Sequence, residues 1–225
     1  MFEGNSYQDA YYYQLVGNVR RYKGARSVPI PSGPITINIG PDFQQWQAVG
    51  PSFLDHVADV EHRDEPGYNS SIRYKEDSGR NDIVEVKVAR DTNNVYFYAR
   101  TNQSLTDPNN SSNWMLLFID VDRSFQTGWE GFDIVINRHI NGSSTLVEKS
   151  QSGWNWQPVN QVSFVTVNNE LQFAVPRSML GLKSTDAVQI NFKWVDNMIQ
   201  DGDILSLIQN GDTAPNGRFS YMFNG

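Results

Sequence analysis

The feature that most limits the fold is a two-residue alternation of apolar side chains, repeated in short runs from residue 35 onwards. Successive side chains of a β-strand point to opposite faces, so each run predicts a strand with one buried face. Turn-forming residues separate the runs, which is typical of antiparallel strands. The runs are Ile35–Ile39, Val84–Val88, Val95–Ala99, Leu171–Val175, Val188–Trp194 and Phe219–Phe223.

Other segments add a central strand and hairpins. Trp114–Val121 is almost continuously apolar, as expected of a strand covered on both faces, and Phe132–Asn137 is its predicted partner. Asn141-Gly142 and Asn168-Asn169 are hairpin turn signals. Roughly ten strands with hairpin spacing predict an all-β fold, an antiparallel two-sheet β-sandwich of the immunoglobulin or jelly-roll kind, over residues 34–225.

A helix is predicted before this domain. From Tyr7 to Lys23 apolar residues recur at helical spacing, Ser6 can cap the start, and Gly24 follows a basic last turn. The apolar positions are Tyr12, Leu15, Val16, Val19 and Tyr22. Gly17 weakens the helix, so we expect it to depend on packing. Proline-rich Val28–Pro34 predicts an extended connector, which makes residues 1–33 a separate unit.

Charge and composition exclude several classes of protein. A formal net charge of -7 repels phosphate, and basic residues form no large cluster, so no nucleic-acid partner is predicted. The absence of cysteine excludes disulfides, thiolate zinc sites and a cysteine nucleophile. No basic and apolar leader follows Met1 and no transmembrane helix is recognised, so neither a signal peptide nor a membrane partner is predicted. The segment Val57–Asn81 is long and charged, and predicts a surface loop or a site-building insertion.

The order of segments resembles carbohydrate-binding module family 9 and the wider DOMON-like sandwiches. The matching stretches cover most of residues 34–225. They are Ile35–Ile39 with Asp42-Phe43 and Trp46, Val84–Arg100, Leu117–Asn137 with Phe118-Ile119-Asp120 and Thr127-Gly128, Leu171–Leu180, and Val188–Asn197.

The resemblance implies an extracellular or cell-surface domain that binds glycans, often carries calcium and is attached to a bacterial glycoside-hydrolase-like protein. The N-terminal helix looks similar to a junction behind such a catalytic domain. In the family, two aromatic side chains clamp the sugar. The corresponding regions here, Pro108–Ser112 and Asn210–Thr213, hold no aromatic residue, so the clamp is not carried over.

Other aromatic residues could supply a sugar platform, because sugars stack on flat rings and hydrogen-bond to amides. Trp154 and Trp156 share one strand parity beside Asn155 and Gln157, and Trp129 lies in a glycine-flanked loop. These residues form the predicted carbohydrate site. The alternative is that the two alternating tryptophans cover the sheet and that Trp129 is a lid on the core.

Clustered carboxylates predict where a cation could bind. Asp120 and Asp122 alternate at a strand end and Asp133 follows on the next strand, which suits an oxygen-rich calcium site. A second acidic set could also suit a cation, but turn chemistry explains it equally well, because Asp and Asn cap loops without any metal. That set is Asp196, Asn197, Asp201, Asp203 and Asp212.

Two further functions are weighed and set aside. A hydrolase needs two carboxyls flanking the sugar bond, for which Asp133 and Glu130 are an unconvincing pair. A DOMON-type haem needs a Met and His pair that the sequence does not suggest. The residues concerned are His56, His62, His139, Met115, Met179, Met198 and Met222.

We therefore expect a non-catalytic carbohydrate-binding module without haem. The alternative is a structural accessory domain that packs against a catalytic neighbour and binds no sugar.

Overall fold

The computed structural model describes residues 10–24, 29–60, 62–67 and 69–225, and for residues 10–13 the backbone only. The fold is mostly β, as predicted. Helices α1 and α2 are Ala10–Lys23 and Ser206–Gln209, and 3-10 helices occupy Gln44–Ala48 and Arg177–Leu180. The strands are β1 (Phe53–Leu54), β2 (Arg63–Pro66), β3 (Arg73–Glu76), β4 (Ile83–Arg90), β5 (Asn94–Thr101), β6 (Leu116–Asp120), β7 (Ile134–Asn141), β8 (Ser144–Ser152), β9 (Asn155–Val167), β10 (Glu170–Pro176), β11 (Gln189–Asp196), β12 (Asp212–Ala214) and β13 (Tyr221–Asn224).

The predicted arrangement of two stacked sheets is not confirmed. Antiparallel pairing joins the strands in the order β1-β4-β5-β10-β9-β8-β7-β6-β11-β12, with β13 also on β11, into one 11-stranded sheet. This sheet nearly closes into a barrel. At the closing point the backbone N–H of Ile83 on β4 donates to the Asp212 carboxylate of β12 at 2.5 Å. A separate 2-stranded sheet pairs β2 with β3.

Most predicted strands are present, but the first is not. The runs beginning at Val84, Val95, Leu171, Val188 and Phe219 correspond to β4, β5, β10, β11 and β13. Residues 35–39 are extended without joining a strand ladder, although the Ile35 N–H donates to the Arg90 carbonyl at 2.8 Å. The segment lies over the outer face of the sheet, where Ile37 is buried against Tyr96 and Ala89. Its alternation therefore reports burial rather than sheet pairing.

Strand β6 is buried on both faces, as predicted from its continuous apolar sequence. Leu117 and Ile119 belong to the main core inside the sheet. Leu116 and Phe118 point outwards into a second cluster, the outer tryptophan cluster, defined by Phe118, Trp129, Trp154 and Trp156 with their apolar neighbours. The predicted pairing with the following strand is also confirmed, with Phe118 opposite Val135 on β7.

Helix α1 confirms the predicted helix over residues 10–23, whereas Ser6 and the start at Tyr7 lie outside the described residues, as does the side chain of Tyr12. Leu15 and Tyr22 are 61% and 89% exposed. The described part of the chain therefore leaves this apolar face largely uncovered.

The charged segment from Val57 to Asn81 is tied to the end of β11. Arg80 Nε donates to the Asp196 Oδ2 at 2.7 Å, and Asp196 is completely buried. The Gly211 N–H donates to Glu76 Oε2 at 2.7 Å. The segment, which carries β2 and β3, is thus held against the sheet by buried charges.

Candidate functional site

The three tryptophans of the predicted carbohydrate site come together on the outer face of β6. Trp129 and Trp154 pack edge to face with ring centroids 4.5 Å apart, and Trp154 and Trp156 do so at 5.7 Å. The ring of Phe118 lies beneath them, between 5.1 and 6.2 Å from each. The three tryptophans predicted from the sequence are therefore in contact with one another in the fold.

The burial of these rings favours the interpretation as sheet cover. Trp129 and Trp156 are only 4% and 5% exposed, so neither presents a ring face for sugar stacking. Trp154 is half-buried, and its side chain packs so closely on Gly202 that no larger residue fits there without a shift. Asn155 and Gln157 are exposed on the opposite side of β9 from Trp156. A sugar-binding role for this group stays a prediction.

The predicted metal residues also converge. Asp120, Asp122 and Asp133 each place a carboxylate oxygen within 4.8 Å of the others, an arrangement that could hold a cation. Burial raises the pKa of Asp120 and Asp133, and the charge of Asp122 raises both further. Some of the oxygens are engaged locally, since Asp133 accepts from the Val121 N–H at 2.9 Å. The remaining unfavourable charge is what a divalent ion would offset.

The second acidic set does not form one site. Asp196 pairs with Arg80, and Asp203 accepts from the Leu205 N–H at 2.9 Å as a local cap. Asp212 instead meets Asp55 and Asp59, with their carboxylate oxygens within 4.8 Å of one another. This second carboxylate group joins positions far apart in the sequence, which single-sequence patterns do not bring together.

A lysine is buried beside this carboxylate group. Lys193 is 0% exposed, and its ammonium donates to the backbone carbonyls of Pro215 and Phe219. Burial lowers the pKa of Lys193 to about 7, although the charges of Asp55 and Asp212 oppose this. Burial raises the pKa of Asp55 to about 6. Both groups therefore titrate close to neutral pH.

These shifts predict an unusual pH dependence of stability. Between pH 3.8 and about 6 the folded state binds more protons at Asp55 than the unfolded chain, so the free energy of unfolding falls as pH rises. Between about pH 7 and 10.5 folded Lys193 is neutral while the unfolded chain is protonated, so the free energy rises. We expect a minimum between these windows in urea unfolding, and a smaller fall below pH 6 in Asp55→Asn. An unchanged acid limb in that variant would contradict the role of Asp55.

A cavity with convergent polar groups lies elsewhere, on the outer face of β4, β5 and β10. Cross-strand pairing places Glu85, Arg100 and Glu170 in one row, and Lys87, Tyr98 and Gln172 in the next. The cavity has a volume of about 400 Å³ and is lined by residues of both rows. We call it the outer-sheet pocket. It is lined by Pro41, Asp42, Phe43, Gln44, Trp46, Gln47, Glu85, Lys87, Tyr98, Arg100, Val167 and Glu170.

The wall of the outer-sheet pocket is the 3-10 helix Gln44–Ala48, fixed from beneath. Trp46 is 1% exposed, stacks on Tyr98 at 5.1 Å, and donates from Nε1 to Gln172 Oε1 at 2.7 Å. Lys87 Nζ donates to the Trp46 carbonyl at 2.9 Å. Gln44 and Gln47 lie on the exposed side of the same helix. A buried aromatic anchor thus holds two exposed amides at the mouth of the pocket.

The charges of the pocket floor are arranged around Glu85. Arg100 donates to Glu85 Oε2 from Nε at 3.2 Å and Nη2 at 3.1 Å, and Lys87 lies 3.5 Å from Oε1. Burial favours protonated Glu85, but hydrogen bonds from Ser52 and Arg100 outweigh it and lower the pKa.

A second carboxylate of the pocket is held by a tyrosine. The Tyr98 hydroxyl donates to Glu170 Oε1 at 2.6 Å. Burial, and then this bond, raise the pKa of Tyr98 well above its ordinary value. Tyr98 therefore remains a donor that holds Glu170 in place.

Sequence reasoning missed this pocket because only the apolar half of each alternating run was interpreted. The polar half of the same runs supplies the pocket floor: Glu85 and Lys87 alternate with core valines, and Tyr98 and Arg100 alternate with Phe97 and Ala99. Charged residues at outward positions of three neighbouring strands were the available signal. Trp46 belongs to a third buried cluster, in which it packs with Ile37, Phe43 and Tyr98.

The residues of the set-aside hypotheses lie apart from this pocket. Glu130 is exposed, whereas its suggested partner Asp133 is buried. His139 Nδ1 is 3.0 Å from the buried carboxylate of Glu148, and His62 Nδ1 is 2.8 Å from Asp77. Each described contact is a local ion pair or hydrogen bond.

Comparisons of the chain with protein-family models, with curated proteins and with solved structures find no match.

Among the helices that the structure describes, none has the length and apolar character needed to span a bilayer.

Proposed function

We propose that this chain is a non-catalytic carbohydrate-binding domain and that its ligand occupies the outer-sheet pocket. The observation that carries the proposal is the combination of donors and acceptors around one preformed cavity: guanidinium, carboxylates and exposed amides. Sugar hydroxyls both donate and accept, so a mixed lining of this kind suits them. The proposal includes the resemblance to carbohydrate-binding module family 9. It also includes that family's sandwich architecture and an extracellular or cell-surface setting beside a catalytic domain.

The mechanism of such a domain is tethering rather than chemistry. A wall fixed by Trp46, Gln172 and Lys87 needs little reordering when a ligand arrives, which limits the entropic cost of binding. Holding a glycan next to a catalytic partner raises its effective concentration there.

Isothermal titration calorimetry with a panel of neutral disaccharides tests this function. We expect at least one sugar to bind, and the double variant Gln44→Ala with Gln47→Ala to weaken it by about tenfold, the equivalent of 1.4 kcal/mol. Both amides are exposed, so their removal should leave the fold intact. Gln161→Ala, an exposed amide on β9, is the matched control.

The outcomes separate the two candidate sites. Loss of binding in Trp154→Ala but not in the glutamine variant would place the ligand at the outer tryptophan cluster. The absence of binding across the panel would favour the structural accessory domain. The exposed Leu15, Val19 and Tyr22 of α1 are the observation that supports this second function, because they offer an apolar face to a neighbouring domain.

We also propose a structural calcium ion at Asp120, Asp122 and Asp133. Extracellular modules bind calcium with dissociation constants of roughly 10⁻⁴–10⁻³ M, so calcium well above that range should raise the melting temperature. The expected increase disappears in Asp133→Asn and persists in Asp59→Asn, which alters the other carboxylate group. Equal melting temperatures of the unaltered protein in calcium and in chelator would contradict the site.

A further inference from the structure

The carboxylates of the outer-sheet pocket are not all neutralised. Both basic side chains of the lining, Lys87 and Arg100, are directed at one acid, Glu85. Asp42 and Glu170 also line the pocket, and within the described residues neither has an ion pair. Three carboxylates thus face two cations, in a chain whose formal net charge is -7. The pocket therefore presents excess negative charge to any ligand.

The position of Glu170 makes this charge effective. The Tyr98 hydroxyl donates to Oε1 at 2.6 Å, and Glu170 lies directly opposite Arg100 on the neighbouring strand. The Tyr98 hydroxyl thus holds one oxygen of a carboxylate that lines the pocket and has no ion pair among the described residues. Like charges brought together in a binding site cost several kcal/mol, more than a sugar hydroxyl contact returns.

We propose that the outer-sheet pocket selects short neutral saccharides and rejects those that carry a carboxylate or sulfate, with Glu170 and Asp42 as the residues that set this specificity. The inference rests on the proposed carbohydrate-binding function. The volume of about 400 Å³ is at the small end of ligand pockets, which range over about 300–1,000 Å³, so the pocket has room for one or two sugar rings rather than for a long chain.

The test compares one neutral disaccharide that binds with the same disaccharide oxidised at C6 to the uronate, which keeps the ring stereochemistry and the other hydroxyls but converts one CH2OH group into a carboxylate. In calorimetry at low salt we expect the uronate to bind at least about tenfold more weakly. Screening should shrink this ratio at high salt. Glu170→Gln keeps the shape and the acceptor for Tyr98 but removes the charge, and should lower the neutral-to-uronate affinity ratio by at least about threefold.

Glu65→Gln is the matched control, because it changes the net charge equally on the exposed strand β2, away from the pocket. Asp42→Asn at the pocket rim is the second variant if Glu170→Gln does not fold. Equal affinities for the neutral sugar and its uronate, or an unchanged ratio in a folded pocket variant, would overturn the charge selection. If the unaltered protein binds none of the sugars, the proposed function itself would be overturned.

Discussion

Replacing Phe118 by alanine is expected to lower the free energy of unfolding by about 3–5 kcal/mol, the usual cost of deleting a buried phenylalanine. Phe118 is completely buried on the outer face of β6. Its ring contacts Trp129 at 5.1 Å and Phe132 at 5.5 Å, and the rings of Trp154 and Trp156 surround it. Removing the ring leaves a cavity beneath rigid indoles, which cannot collapse easily.

Urea unfolding followed by tryptophan fluorescence measures this change. Phe125→Ala is the matched control, since Phe125 is 80% exposed and its loss should alter stability by less than about 0.5 kcal/mol. A cost below about 1 kcal/mol for Phe118→Ala would mean that the outer tryptophan cluster is loosely packed. Loose packing would favour the predicted role of this cluster in binding sugar.

The second large effect is expected at Asp196. Asp196→Ala removes the buried partner of Arg80 and also the acceptor for the Asn81 side chain and the Met115 N–H, at 3.0 and 2.9 Å. Breaking a buried ion pair from one side typically costs 3–5 kcal/mol, because the other charge stays buried; we expect about that loss here. Arg80 is 16% exposed in its side chain, so some of the cost is relieved by water.

A double-mutant cycle with Arg80→Met separates the pair from its surroundings. If the ion pair is the main cause, the double variant should be less unstable than the sum of the single variants by about 0.5–3 kcal/mol. Asp201→Ala, at an exposed position in the connection that follows β11, is the control and should change stability little. Additive losses would indicate that the effect comes from the hydrogen bonds that Asp196 accepts from the uncharged Asn81 and Met115 donors.

The strands could be predicted because burial leaves a direct trace in the sequence. The almost continuous apolar sequence of β6 follows from apolar clusters on both of its faces. The hairpin at Asn141-Gly142 follows from the positive φ of Gly142, which is +62°. Asn141 pairs with Ser144, so the two-residue loop is Gly142-Ser143, and of these two only Gly142 has positive φ. The hairpin was therefore predictable, although its turn type was not.

The arrangement of the strands into one curled sheet could not be predicted from the alternation of apolar residues. A strand alternates in the same way whether its sheet is stacked on another or curls towards closure, so two-sheet and single-sheet arrangements give equal patterns. Residues 35–39 show the same ambiguity, since an extended segment lying on a sheet also buries every second side chain.

The candidate sites were predicted to the extent that their residues are neighbours in sequence or on adjacent strands. Asp120, Asp122 and Asp133 satisfy that condition and do converge. Asp55 and Asp212 belong to distant segments that meet only when the sheet curls. The outer-sheet pocket depends equally on long-range contacts, because Trp46 must reach Gln172.

The ends of the nearly closed sheet bear on how the protein behaves at high concentration. An open sheet edge exposes unpaired amide and carbonyl groups that can recruit a strand from another molecule. Here one terminal strand is Phe53–Leu54 and the other edge is divided between Asp212–Ala214 and Tyr221–Asn224. Such short edges give an incoming strand very few backbone partners. These short edges therefore limit edge-to-edge aggregation of the folded molecule.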